Sequence, residues 1–456
     1  MVKHQFGLLQ SLQNILSLKN KSCIFSYLRS PSFTTFAHTG SLMSCMKQLK
    51  RNKRLVLGVT GSIAAYKAAE LARHFVKRNY TVRVVMTESA NRFISPLTFE
   101  ALTGNPVNTS IWKEERPGVI GHIEMADWAD VVLVAPATAD CIAKMAFGFA
   151  ESNLLAVLLA TKAPIVLAPA MNVNMYKHHQ TQANLESLTA RGVHIVEPES
   201  GALACGWHGS GRLAACSEVF YQVERVLGPQ DLLGRRVLIS AGPTREAIDP
   251  VRYISNRSSG KMGIAMAKEA YRRGAQVTLV HGPLGFKPTL PAEVVCHPVT
   301  TARDMHNTIL AESYDDTGKP VQDVIVMAAA VADFKPNGSA DQKIKKAAGI
   351  PDIKLVPNAD ILADIGSKRG DGKAPVLVGF AVETESEAAL INEARAKLSR
   401  KKVDYVVANL AQDSFDLNTN RVWAVGQHEV TEIPQGSKKR IAGGIWDILL
   451  RHTPVC

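Results

Sequence analysis

The stretch Val237–Gly263, VLISAGPTREAIDPVRYISNRSSGKMG, predicts an apolar strand, a long loop rich in Ser, Asn, Arg and Gly, and the first turn of a helix. A helix start presents backbone N–H groups that lack intrahelical partners, so this order of elements can hold an anion and suggests phosphate chemistry. A similar strand and turn, LVLGVTGSIAAYK at Leu55–Lys67, opens the first half of the chain. Together the two predict two nucleotide-handling α/β domains in one polypeptide.

Composition supports that reading. The 456 residues, 46% hydrophobic and 21% charged, suit two or three soluble α/β domains, each with its own core. No apolar run approaches the roughly 20 residues that span a bilayer; the run Val131–Ala139 is short and broken by Pro136. No membrane partner is expected. The 7 cysteines are scattered, with no CxxC pair and no zinc spacing, which fits a reducing, cytoplasmic setting. The net charge of +12 sits mostly at the start, where ten lysines and arginines precede the first acid, Glu70. The remainder is near neutral, which argues against a nucleic-acid partner. Residues 1–50 form a Ser-rich basic tail, read either as an organellar presequence or as the product of a start placed upstream of Met43 or Met46.

Apolar runs predict strands at Leu55–Thr60, Thr81–Met86, Val131–Ala135 and Ile165–Ala168, with a shorter one at His194–Val196 and a helix over Ala64–Lys77. SGALACGWHGSGR, from Ser200, reads as a loop before a helix over Ser217–Leu227, and LGPQDLLG as the interdomain linker. The second half repeats the scheme: strands at Val237–Ser240, Gln276–His281, Val324–Ala328, Val376–Phe380 and Tyr405–Ala408, with helices over Ile264–Arg273 and Glu387–Lys401. The fold class expected is two doubly wound Rossmann-like domains with parallel sheets: a flavodoxin-like one over 51–228 and a nucleotide-binding one over 229–456.

Neither half carries a common nucleotide fingerprint. Gly58 and Gly61 lack the GxGxxG spacing, and Gly260-Lys261 has Ser255 where a Walker loop needs glycine. Generic dehydrogenase and P-loop readings lose ground. Doubly wound sheets still bind ligands beyond the carboxyl ends of their strands, which directs attention to the loops at Thr60, Met86, Ala135 and Pro169.

TGSIAAYK, MTESA, GHIEMADWAD, APATAD and PAMNVNMY stand in the order found in flavin-dependent decarboxylases of cysteine-containing substrates, and ACG followed by GSGR resembles the substrate clamp of phosphopantothenoylcysteine decarboxylases. AGPTREAIDPVRYISNRSSGKMG, AAAVADF, KIKK, NADI and VGFAVET resemble phosphopantothenate–cysteine ligase. Over about residues 51–450 the chain resembles the bifunctional bacterial coenzyme A biosynthesis family. That resemblance implies two steps: CTP-dependent joining of L-cysteine to 4'-phosphopantothenate, then FMN-dependent decarboxylation to 4'-phosphopantetheine.

The chemistry explains such residues. An N-acylcysteine carboxylate has no neighbouring electron sink, and oxidising the thiol to a thioaldehyde provides one, which is work for a flavin. By resemblance FMN sits on Gly61, Ser62, Thr87, Ala137 and Thr138, His122 is the catalytic histidine, Asn172 binds the departing carboxylate, and Cys205 protonates the enethiolate. Ser62 also reads as a helix N-cap, worth about 1 kcal/mol. Met171 and Met175 read as core, and Cys216 as structural. A carboxylate does not acylate an amine at neutral pH, so the ligase half must activate it, by resemblance as an acyl-cytidylate with Mg2+ offsetting the triphosphate charge. The residues implied for CTP are Met327, Ala328, Ala329, Asp333, Lys343, Asn358, Ala359, Asp360, Ile361, Phe380, Lys397 and Lys401, with Asn256 handling the intermediate. Ala359 stands where the family has proline, which loosens the expected cytosine-reading loop; no metal ligands are identifiable.

A flavin prenyltransferase shares GSIAAY and PATAD but not the Asn172 and Cys205 pattern, and a peptidyl-cysteine decarboxylase needs no second half. A non-enzymatic flavoprotein subunit would have lost His122 or Cys205, and both are present. Relatives form decarboxylase trimers and ligase dimers, so the resemblance implies a homo-oligomer.

Overall fold

The computed structural model describes residues 52–112, 120–202, 206–345, 352–370, 372, 374–384, 386–414, 417 and 419–452. The first half is built on β1 (Lys53–Val59), β2 (Tyr80–Met86), β3 (Val107–Asn108), β4 (Val131–Ala137), β5 (Ile165–Pro169) and β6 (His194–Ile195), in the parallel order β3-β2-β1-β4-β5-β6. These strands read as continuous apolar runs because helices cover both faces of the sheet. Leu55, Leu57 and Val59 point to the side of the helices Ala65–Val76 and Cys216–Val226, while Val56 points to the side of Ala139–Ala146 and Asn153–Ala160. The doubly wound expectation holds. Within it the strand order is that of the dinucleotide-binding sheets, not the 2-1-3-4-5 order of flavodoxin.

The Gly-rich segment read as a loop contains an antiparallel hairpin, β7 (Glu199–Ala202) with β8 (His208–Arg212). Neither ESGA nor HGSGR alternates apolar with polar residues, so the period-two signal is missing and only pairing makes them strands.

In the second half, β9 (Arg236–Ala241) leads through a small hairpin, β10 (Arg245–Ala247) with β11 (Tyr253–Ser255), to the helix Lys261–Arg272. There follow β12 (Gln276–His281), β13 (Val295–Pro298) and β14 (Val324–Met327), a second small hairpin, β15 (Phe334–Pro336) with β16 (Leu355–Pro357), then β17 (Val376–Glu383), β18 (Tyr405–Leu410), β19 (Thr419–Gly426) and β20 (Val430–Ser437). The main sheet runs β13-β12-β9-β14-β17-β18-β19-β20. It is parallel up to β18, whereas β19 and β20 turn antiparallel, an addition the purely parallel expectation lacks. Ile239 and Ala241 pack beneath Lys261–Arg272 and the last helix, Lys438–His452, and Leu238 packs on the opposite side against Ile309, Ile365 and Leu390.

The linker Leu227–Gly234 is packed. Leu232 is buried and its N–H donates to Arg273 O at 2.9 Å. Across the two halves Arg225 donates to the carbonyls of Tyr271, Gly274 and Ala275, Tyr221 to Thr289 O at 2.8 Å, and Lys439 to Glu224 at 3.0 Å.

Candidate functional sites

In the first half, strand order reverses between β1 and β4, and the loops leaving β1, β2 and β4 meet there. Thr60 Oγ donates to Pro136 O at 2.7 Å and accepts Thr138 N at 3.1 Å, tying the β1 and β4 loops together. A Cβ on Gly61 would lie 2.4 Å from Ser89 Cβ, so only glycine lets the β1 and β2 loops approach this closely. Thr87 and Thr138 cap their helices by accepting Ala90 N and Cys141 N, and a hydroxyl that accepts still has one O–H to donate. Ser62 is not the N-cap. Its Oγ accepts Ala64 N at 3.2 Å, and Ala64 starts the helix Ala65–Val76 with no side-chain cap. A helix start without a capping side chain can hold an anion such as a phosphate.

Next to it, a cavity of about 350 Å³ is lined by Ser62, Tyr66, Lys67, Met171, Asn172 and Arg212 among others. Asn172 Oδ1 accepts Asn174 N at 2.8 Å and caps the short helix Val173–Lys177. Met171 N donates to Gly211 O at 2.9 Å, so the β7–β8 hairpin leans on the Asn172 loop. His122 stands in the first turn of the helix Gly121–Trp128 and is not in this wall. Gly61, Thr87, Ala137 and Thr138 also lie outside it, at the neighbouring strand ends. Cys205 lies outside the described residues. Met171 packs against the core as expected, but Met175 is 50% exposed; with one face of a five-residue helix buried through Val173 and Tyr176, it points to solvent.

In the second half, a cavity of about 850 Å³ opens at the carboxyl ends of β14, β17 and β18. Asn256, Met327, Ala328, Ala329, Asp333, Asn358, Ala359, Asp360, Ile361, Phe380, Lys397 and Lys401 all line it, although they come from five separate segments. Ala329 N donates to Ser240 Oγ at 3.1 Å, Asn256 Nδ2 to Val331 O at 2.9 Å, and Asn358 Nδ2 to Ala332 O at 2.9 Å. Asn358 N also reaches Asp333 O at 2.8 Å, so the NADI loop is pinned although Ala359 replaces proline.

Asp360 caps the helix Ile361–Arg369 and pairs with Lys401 at 2.6 Å. Burial raises its pKa, but the Lys401 bond, the Ala363 N–H and the nearby lysines outweigh burial and hold the carboxyl below its usual range. Lys397 donates to Phe380 O at 2.6 Å; burial, then the like charge of Lys401, push its pKa down.

Lys343 is the exception: it is exposed and not in the wall. Its neighbour Ile344 is gripped by the 248–252 turn, with its N–H on Asp249 at 3.2 Å and its carbonyl on Arg252 at 3.3 Å, which fastens the chain beside the lysine. Motif reading missed Arg257, Lys261, Arg400, Asn409, Asn420 and Lys438 in the wall. Asn409 could have been found, since it ends a central strand where open α/β sheets place ligands. Among the described residues no group of three or more His, Cys, Asp and Glu could hold a metal ion, and no helix is long and apolar enough to cross a membrane.

The chain thus carries two largely parallel α/β sheets of doubly wound type, with a cavity at each. Residues 43–228 match the flavoprotein family model, and residues 232–452 match the DNA/pantothenate metabolism flavoprotein C-terminal domain. The chain is 44% identical over 405 residues to the coenzyme A biosynthesis bifunctional protein CoaBC of Vibrio cholerae, covering 87% of this chain and 98% of that one. It is 44% identical over 362 residues to the Bacillus subtilis protein of the same name, covering 78% and 86%. A solved C-terminal domain of a CoaBC protein is 34% identical, covers 49% of this chain and 97% of its own, and has a TM-score of 0.40. The chain belongs to the family of coenzyme A biosynthesis bifunctional proteins. It is a bifunctional flavoenzyme, a phosphopantothenoylcysteine decarboxylase and a phosphopantothenate–cysteine ligase.

Proposed function

We propose that the ligase half activates 4'-phosphopantothenate with CTP and Mg2+ as an acyl-cytidylate, and that the decarboxylase half, with FMN, receives the acylcysteine formed when L-cysteine displaces CMP. The observation that carries the nucleotide reading is the convergence of Asn256, Asp333, Asn358, Asp360, Phe380 and Lys397 on one cavity. Asp333 and the 358–361 loop hold the nucleoside, Phe380 packs on it, and Lys397 and Lys401 offset phosphate charge. Asn256, held at the mouth by Val331 O, keeps the acyl-cytidylate in place for the incoming amine. Lys343 contacts the triphosphate only if its loop swings inward from the anchor at Ile344.

In the decarboxylase half, Gly61, Ser62, Thr87, Ala137 and Thr138 hold FMN, which when bound supplies the thiol oxidation that opens the route to carbon dioxide loss. Asn172 orients the departing carboxylate, Arg212 flanks it, His122 acts as base or carboxylate-orienting group, and Cys205 returns the proton to the enethiolate. We place the protein in the cytoplasm as a homo-oligomer, with decarboxylase trimers and paired ligase domains. Residues 51–228 and 229–456 are the two functional domains.

Incubating the purified protein with phosphopantothenate, cysteine, CTP and Mg2+ should release CMP and form phosphopantetheine, and the preparation should show flavin absorption. Failure to release CMP, or equal turnover with ATP, sinks the CTP assignment. Cys205→Ser should still release carbon dioxide but stall before the final reduction; normal formation of phosphopantetheine overturns its role as donor.

A further inference from the structure

The helix Gly121–Trp128, which carries His122, begins with unmet donors. Its N-cap, Ile120, supplies no side-chain acceptor, and the backbone N–H groups of Gly121 and His122 have no partner among the described residues. The His122 imidazole, half-buried in the same first turn, also has no hydrogen bond, ion pair or ring contact among them. A side chain that moves protons or orients a carboxylate needs a further group to fix its direction. Within its own helix, His122 has none.

Against that turn lies an unmet acceptor. Asn108 ends the short strand β3 and pairs in register with Val85 of β2. Paired residues of neighbouring strands point to the same side of the sheet, and Val85 belongs to the core that Met125 and Ala126 of the His122 helix help to form. An apolar residue would suit position 108, and the chain places a carboxamide there. Asn108 is 3% exposed, its Oδ1 accepts from no donor, and its Nδ2 stands 3.5 Å from the point a Gly121 Cβ would occupy. A buried carbonyl oxygen without a donor costs stability that an apolar group of the same shape would not. The free N–H groups of the helix start and the free oxygen of Asn108 are complementary, and they adjoin at Gly121.

We propose that Asn108 is the positioning residue of His122: with substrate bound, its Oδ1 accepts an N–H of the first turn and so fixes the direction of the imidazole. Catalytic hydrogen bonds are often long or poorly aligned before substrate binds and tighten in its complex. The proposal rests on the reading of His122 as the base or carboxylate-orienting group. It also accounts for the glycine at 121. A Cβ there would already touch the amide, so glycine leaves the turn free to close on Asn108.

The test uses the full-length, FMN-loaded protein and decarboxylation of preformed phosphopantothenoylcysteine. Asn108→Leu, which keeps the shape and removes the acceptor, should lower kcat by about tenfold or more and leave KM within about twofold, the split expected when a catalytic group is misplaced. Its flavin absorption and CMP release should match the wild type, and its melting temperature should be equal or higher. Asn108→Asp keeps an acceptor at a helix start, where a carboxylate is favoured, and should retain kcat within about threefold. Packing alone predicts the opposite order, because a buried carboxylate is costlier than leucine. Leucine outperforming aspartate, a wild-type kcat in Asn108→Leu, or loss of activity in both variants overturns the proposal. Decarboxylation at the wild-type rate in His122→Ala fails the reading of His122 itself, a result distinct from these.

Discussion

Arg273→Ala should destabilise the ligase half by about 3 kcal/mol, the lower end of the range for breaking a buried ion pair from one side. Arg273 is 4% exposed and serves three elements at once. Its Nε donates to Glu269 at 3.0 Å, Nη1 to Asp231 in the linker at 2.8 Å, and Nη2 to Gly443 O at 3.1 Å and to Asp447 on the last helix. Removing the guanidinium strands the buried Glu269, which retains only Arg272, at 2.5 and 2.8 Å. It also leaves Gly443 O without this donor. Arg272 remains as partner, which places the effect at the lower end. Trp446, fully buried with its Nε1 on Met266 O at 3.2 Å, lies in the same interface. Unfolding followed by tryptophan fluorescence should therefore move to lower denaturant, and the melting temperature should fall by roughly 6–12 °C for a domain of this size. A loss below about 1 kcal/mol would mean that the linker and the last helix dock by apolar packing alone, with the ion network adding no more than a surface pair would.

The sequence reveals most where one physical demand dominates. Leu55–Val59 and Val237–Ala241 are central parallel strands buried on both faces, so they must be apolar throughout, and their positions are legible to within two residues. That Asn256, Asp333, Asn358, Phe380 and Lys397 would share one region is legible because they sit in long motifs of fixed order, and they line one cavity. Elements whose identity depends on partners far along the chain are not. Asn409, Asn420 and Lys438 are isolated polar residues in sequence, and they share a wall only because the end of β18 meets the starts of β19 and the last helix. The β7–β8 hairpin has too little apolar character to register as strand. Lys343 matches its motif by type and order, but its position depends on the grip of Asp249 and Arg252 on Ile344, which no local pattern encodes.

Gly211→Val should abolish phosphopantetheine formation, by a hundredfold or more, while CMP release continues at the wild-type rate and phosphopantothenoylcysteine accumulates. Gly211 has φ +144, and a Cβ there would lie 2.3 Å from Met171 O and 3.4 Å from Asn172 C. Those are backbone atoms, so no side-chain rotation relieves the clash; the hairpin or the Asn172 loop must move. The two segments are joined at this point by the Met171 N to Gly211 O bond, and both Arg212 and Asn172 line the decarboxylase cavity. A displacement of about 1 Å at a positioning group can cost on the order of a hundredfold in rate. Thermal stability should change far less than activity, because Gly211 is the one buried residue of two strands that are otherwise exposed or half-buried, and Leu213 and Ala214 beside it are anchored to Val219 and Val223. The ligase cavity shares none of these residues. If the variant converts phosphopantothenoylcysteine at close to the wild-type rate, the hairpin does not hold Asn172 and Arg212 in register, and the acceptance of substrate must be governed elsewhere on the sheet edge.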